Sequence, residues 1–275
     1  MKTILVPTDF SDSAKNAADY AVALACDLKA TRIILYNAYQ APVSADPSMP
    51  AVQLFDIDVL KKSSEDGINN FRKELQSKCG DNVTIETKNE FQLLVSGIEN
   101  ICKSENIDVV VMGITGGSKM EEVLIGSNTI SVAKHVDVPV IVVPKDAKYK
   151  SIQKVGLAFD FKKVIDTTPV TAIKKLLDHT KAELHVLHVS ASESKAEENM
   201  DNHMLDHLFT SYAPRYHFIH DTHFADAINN FADENGIDMI ITIPKKHGLL
   251  EGLFKRSHAK ALAFHSHIPM MMVHE

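Results

Sequence analysis

Cysteine is scarce in this chain and follows no pattern. Cys26, Cys79 and Cys102 are an odd number with no C-x-x-C pair, which argues against a disulfide framework and against a zinc ribbon. Long apolar runs are missing too. No segment approaches the ~18 to 20 residues of a membrane-spanning helix, and Met1-Lys2 runs into an apolar stretch with no signal-peptide pattern, so a cytoplasmic protein is expected. Excess positive charge is absent: the net charge is −7, which disfavours nucleic acid or an anionic membrane as the main partner. Neither G-x-S-x-G nor H-E-x-x-H occurs, and no other set of side chains stands out as catalytic. The two commonest nucleotide fingerprints, G-x-G-x-x-G and G-x-x-x-x-G-K-[ST], are likewise absent.

What is present is ordinary globular material in an ordered arrangement. With 275 residues, 45% hydrophobic and 24% charged, the chain is long enough for two domains. Thr3 to Pro7 reads as a strand, and Ala14, Ala17, Ala18, Ala21, Val22 and Ala25 then fall on one face of a helix. Further strands are expected over Arg32–Ala38, Asn82–Lys88, Asp108–Met112 and Val138–Val143, with helices over Phe55–Lys78, Phe91–Ser104 and the segment after Ser127. Strands alternating with helices in this way predict a doubly wound α/β domain with a five-stranded parallel sheet and four helices. Pro144 and the polar run Lys145 to Lys150 form a linker, after which the pattern starts again.

The repeat is legible without gaps over its last third. Asp108, Ser127, Pro139 and Val143 recur as Asp238, Ser257, Pro269 and Val273 at a constant offset of 130, and Ile4 to Phe10 matches Val155 to Phe161. Two tandem domains, 1–146 and 151–275, follow.

The stretch Val109–Pro144 carries the chemistry. An apolar run ends at Gly113, Gly116 follows, and Gly126-Ser127 opens the next helix. Glycines at these places admit backbone N–H groups to an anion that a Cβ would hold off, Ser127 can cap the helix, and the helix N-terminus adds unpaired donors. Asp9 ends the first strand at the sheet edge where ligands of open α/β folds bind. Ser11 or Asp12 as a helix N-cap accounts for one of the neighbouring polar residues without any ligand. Tyr39 to Leu54, with three prolines, leaves the same edge as a long loop that either covers a ligand or is a mobile crossover.

Gly113-x2-Gly116-x9-Gly126-Ser127, together with Val6-Pro7-Thr8-Asp9, resembles the ATP-binding signature of universal stress proteins, and the resemblance extends over both halves. It implies a Rossmann-like fold of the adenine nucleotide alpha hydrolase type and an ATP-binding, stress-related protein. ATP would be a signal or a slowly hydrolysed substrate, often with a divalent metal, Mg2+ or Mn2+, on its phosphates. By position, Pro7, Thr8, Asp9 and the backbone of Ala38 would frame adenosine, Met112 and Gly113 would lie beside the ribose, and Gly116, Gly126, Ser127 and Asn128 would hold phosphates. The family often has Val where this chain has Asn128. Domains of this type commonly pair through their last strands, here Val138–Val143 and Ile268–Val273, and homodimerisation of the chain stays open.

In the second half Gly113, Gly116 and Gly126 become Ile243, Lys246 and Arg256, so ATP is expected in the first half only. Thirteen of the fourteen histidines lie beyond residue 178. His203 and His207 have the spacing of a two-histidine metal site, but further ligands are not identifiable and no metal is assigned. Lys245-Lys246-His247 with Lys255-Arg256-Ser257-His258 could receive another anion, and Leu249 to Phe254 is apolar enough for a contact surface; solvated charges and packing within the domain are the plain alternatives. A partner-binding scaffold, or an enzyme using the second domain, are the other function classes the sequence leaves open.

Overall fold

The computed structural model describes residues 1–40, 56–80, 82–114, 127–159, 170–190, 207–243 and 268–273. The first half runs β1 (Thr3–Pro7), α1 (Asp12–Asp27), β2 (Arg32–Tyr39), α2 (Ile57–Gln76), β3 (Thr84–Phe91), α3 (Leu94–Ser104), β4 (Val109–Gly113), α4 (Ser127–His135) and β5 (Val140–Val143). The second half supplies β6 (Lys154–Phe159), α5 (Val170–Thr180), β7 (Glu183–Ser190), β8 (Arg215–His220), α6 (Phe224–Asn235), β9 (Met239–Thr242) and β10 (Met270–Met272). All ten strands lie in one sheet, in the order β3-β2-β1-β4-β5-β10-β9-β6-β7-β8. Within each half neighbouring strands are parallel; β5 and β10 run antiparallel, with Met270 opposite Val142 and Met272 opposite Val140. Two five-stranded parallel units thus merge into a mixed sheet.

The duplication is visible bond by bond. Ile4 stands opposite Val109 as Val155 stands opposite Met239. Asp108 accepts hydrogen bonds from the Lys2 and Thr3 N–H groups at 2.7 and 3.2 Å, and Asp238 does the same for Gln153 and Lys154 at 2.8 and 2.9 Å. Each aspartate, one residue ahead of the adjacent strand, satisfies donors at the start of a central strand.

Alanines 14, 17, 18, 21 and 25 form the buried face of α1 and let it lie close to the sheet. Strands β1, β4 and β5 are buried along their length except at Gly113, as sheets covered on both faces require. Apolar clusters fill both faces, and each runs through both halves; Ile141 and Met271 share one, Val142 and Met270 the other.

Several boundaries differ from the sequence expectation, and two of these strands bear on the site. β3 continues to Phe91, paired in register with Tyr39, whose ring lies 5.7 Å from that of Phe91; α3 therefore begins at Leu94. β4 likewise runs through Gly113, which pairs with Val143. The linker is also less free than its polar composition suggests. Asn16 donates to the Pro144 and Ala147 carbonyls at 3.0 and 2.9 Å, and the Ser151 hydroxyl donates to Asp27 at 2.9 Å. Tyr149 packs edge-on against Tyr20.

Candidate functional site

The order of the strands marks one place for a ligand in each half. Connections leave β1 and β4 in opposite directions, so a crevice opens beyond their carboxyl ends. In the first half a cavity of about 540 Å³ lies there, a size suited to a small organic ligand. Its lining includes Pro7, Thr8, Asp9, Ala38, Met112, Gly113 and Asn128. Seven of the ten residues singled out in the sequence are therefore neighbours. Of the other three, Ser127 opens α4, and Gly116 and Gly126 lie outside the described residues.

The turn from β1 to α1 presents Thr8, Asp9 and Ser11. Thr8 is buried; its N–H donates to the Tyr36 carbonyl at 2.8 Å, and its hydroxyl accepts from the Phe10 N–H at 3.0 Å. One carboxylate oxygen of Asp9 accepts from the Ser11 N–H at 3.0 Å, while the side chain stays exposed to the cavity. Ser11, not Asp12, is the N-cap of α1, accepting from the Ala14 N–H at 3.3 Å. Asp9 therefore keeps acceptor capacity for a ligand.

Three helices begin at this cavity: α1 contributes Ser11, Ser13 and Ala14, α3 contributes Leu94, Val95 and Ser96, and α4 contributes Asn128 and Thr129. The N-cap position of α3 is Leu93, which makes no side-chain capping bond, so its first-turn donors have no side-chain partner. No Lys or Arg is among the described lining residues. Among the described residues the helix ends and backbone N–H groups supply positive potential for an anion. The apolar share of the wall comes from Pro7, Ala38, Met112, Leu93 and Leu94.

Gly113 has a packing explanation beside the one its spacing suggests. A Cβ there would lie 2.3 Å from the Ser13 carbonyl oxygen and 2.7 Å from its carbon, both main-chain atoms of α1. The glycine admits the first turn of α1 against the end of β4. In the second half Ile243 holds this position and packs on the apolar core.

Ser11, Ser13, Gln40, Leu93 to Ser96 and Thr129 line the cavity but were not singled out in the sequence. The signal that finds most of them is topological: in a doubly wound sheet every strand-to-helix turn opens on the same edge. The α3 turn was obscured because its strand was expected to end at Lys88.

The remaining candidates are only partly described. Residues 41–55 of the long loop lie outside the described residues, as do His203, the basic residues of 245–247 and 255–258, and the apolar stretch 249–254. His207 is exposed, and among the described residues no three His, Cys, Asp or Glu side chains cluster as a metal site. The three cysteines are free; burial, with Asp137 and Glu99 nearby, pushes the Cys102 thiol up to about 12. Among the described residues no helix is long and apolar enough to cross a membrane.

Comparison with known proteins agrees with this architecture. The model of the universal stress protein family matches residues 1–144 and again residues 152–274. Universal stress protein MJ0531 of Methanocaldococcus jannaschii is 30% identical over 149 residues, which cover 54% of this chain and 84% of that protein. Universal stress protein MJ0577 of the same organism is 29% identical over 161 residues, 52% of this chain and 95% of its own. A universal stress protein from Archaeoglobus fulgidus DSM 4304 shares the fold across 99% of this chain and 98% of its own, with a TM-score of 0.76 at 20% identity. The chain belongs to the universal stress protein family and carries the family domain twice.

Proposed function

We propose that this is an adenine nucleotide-binding stress protein of the cytoplasm, with ATP in the domain 1–146 and none in the domain 151–275. The observation that carries the reading is the convergence of Pro7, Thr8, Asp9, Ala38, Met112, Gly113 and Asn128 on one cavity where three helices begin. An apolar wall suits a purine, Asp9 suits the hydroxyls of a ribose, and helix N-termini suit phosphates. Gly116, Gly126 and Ser127 would complete the phosphate side. With no basic side chain in the described lining, a divalent cation such as Mg2+ or Mn2+ fits the role of offsetting phosphate charge. No general base is identified, so the nucleotide acts as a signal or is turned over slowly.

The two domains act as a paired unit in this reading, joined along β5 and β10, and one chain performs what a homodimer does elsewhere. Isothermal titration of the full chain with ATP, with and without Mg2+, tests the assignment through its stoichiometry. One ATP per chain is expected. Two would show that the second domain also binds, and none would overturn the reading.

A further inference from the structure

Helix α2 contributes no residue to the lining of the ATP cavity, yet one of its faces grips the turn that carries Thr8, Asp9 and Ser11. Ser64, Gly67 and Phe71 stand at positions i, i+3 and i+7 of that face. Two different contacts join them to the turn. The polar one is a buried chain: the Ser64 hydroxyl donates to the Asn37 side-chain oxygen at 2.7 Å, and the Asn37 amide donates to the Thr8 carbonyl at 2.7 Å. The apolar one is the Phe10 ring, which meets Phe71 edge-on at 6.5 Å and lies over Gly67. A Cβ on Gly67 would stand 3.1 Å from two atoms of that ring.

Phe10 itself is held in an uncommon backbone conformation. Its φ is +64°, in the left-handed region that non-glycine residues enter only at an energetic cost. A glycine inside α2 is also unfavourable relative to alanine. The two unfavourable choices meet at one contact. Gly67 makes the space for the ring, the ring fixes Phe10 in its left-handed state, and that state sets the direction in which Asp9 and Ser11 leave the turn.

We propose that Phe10 and Gly67, with Asn37 and Ser64, are positioning residues for the nucleotide: they hold Asp9 at the cavity from the opposite side of the turn. The proposal rests on the ATP reading above for its ligand, but the bond from the Ser11 N–H to Asp9 reports on the turn without any ligand.

The test uses Gly67→Ala and the double variant Gly67→Ala/Phe10→Leu in the full chain, with Phe10→Leu alone as the control. Leucine lacks the outer ring atoms that the new methyl group would meet. Gly67→Ala should melt no lower than wild type, because alanine favours the helix, while ATP binding weakens about fivefold or more and hydrogen exchange at the Ser11 amide accelerates. Phe10→Leu alone should weaken binding, yet in the Gly67→Ala background it should restore part of the affinity and of the Ser11 protection. This reversal of sign is the coupling expected of two groups in contact, and a general loss of stability would not produce it. Unchanged Ser11 exchange in Gly67→Ala, or a loss of affinity that Phe10→Leu deepens in both backgrounds, would overturn the proposal. If wild type binds no ATP, the functional reading fails by itself, and exchange at Ser11 alone decides whether α2 positions the turn.

Discussion

Replacing Gly113 by alanine separates two reasons for a glycine at the end of β4, packing against α1 and access for a bound anion. The added Cβ would sit 2.3 Å from the Ser13 carbonyl oxygen, 2.7 Å from the Ser13 carbon and 3.2 Å from the Ala14 nitrogen. Normal contacts between such atoms are about 3.5 Å, so the first turn of α1 would have to retreat by about 1 Å. A side-chain rotation cannot relieve the clash, since the three nearest atoms all belong to the main chain. The turn is also tethered, by the Ser11 cap and by the burial of Ser13, Ala14, Asn16 and Ala17. Overpacking of this kind costs about 1–3 kcal/mol. For a chain of 275 residues unfolding as one unit that corresponds to a melting temperature lowered by roughly 2–5 °C. Urea denaturation and calorimetry measure the loss, and ATP titration of the same variant measures the effect on the cavity. Both are expected to fall together, because Ser11, Ser13 and Ala14 line the cavity. A Gly113→Ala chain as stable as wild type within about 0.5 kcal/mol would refute the packing argument, and the glycine would then serve the ligand alone.

Two further perturbations address the join between the halves and the second domain. Val142 is buried opposite Met270, so Val142→Asp places a carboxylate in the middle of the sheet with no partner; a loss of about 3–5 kcal/mol is expected, seen as aggregation or separation of the halves. Unchanged small-angle scattering and unchanged resistance of the 145–150 linker to protease would refute a continuous sheet. On β7 and β8 the His185 Nδ1 and His217 Nε2 lie 3.0 Å apart, with Phe231 of α6 against both rings and Glu183, Arg215 and Lys154 as the charged neighbours. Burial lowers both histidines below their usual 6.5, and His217 is lowered further by His185. The unfolded chain therefore binds more protons than the folded one in this window. Stability is fully present above about pH 6.5 and falls as the pH drops through the folded values. His185→Gln/His217→Gln should flatten that slope in pH-dependent melts, and an unaltered slope would exclude the pair as its source.

The glycine spacing, the alternation of apolar runs and the offset of 130 between the halves suffice to define the family and its two copies in the chain. They do so because each is a local or periodic property: a strand buried on both faces must be apolar throughout, and a duplicated fold repeats its pattern. Pro7, Thr8 and Asp9 were legible for the same reason, as the end of a central strand in a doubly wound sheet. What the sequence left undetermined depends on contacts between distant residues. The extension of β3 to Phe91 rests on its pairing with Tyr39, and the tether of the linker on Asn16 and Asp27, more than 100 residues away. The packing constraint on Gly113 comes from the main chain of Ser13, and that on Gly67 from the ring of Phe10. A sequence records that a side chain is missing; only the packed structure decides which neighbour occupies the space.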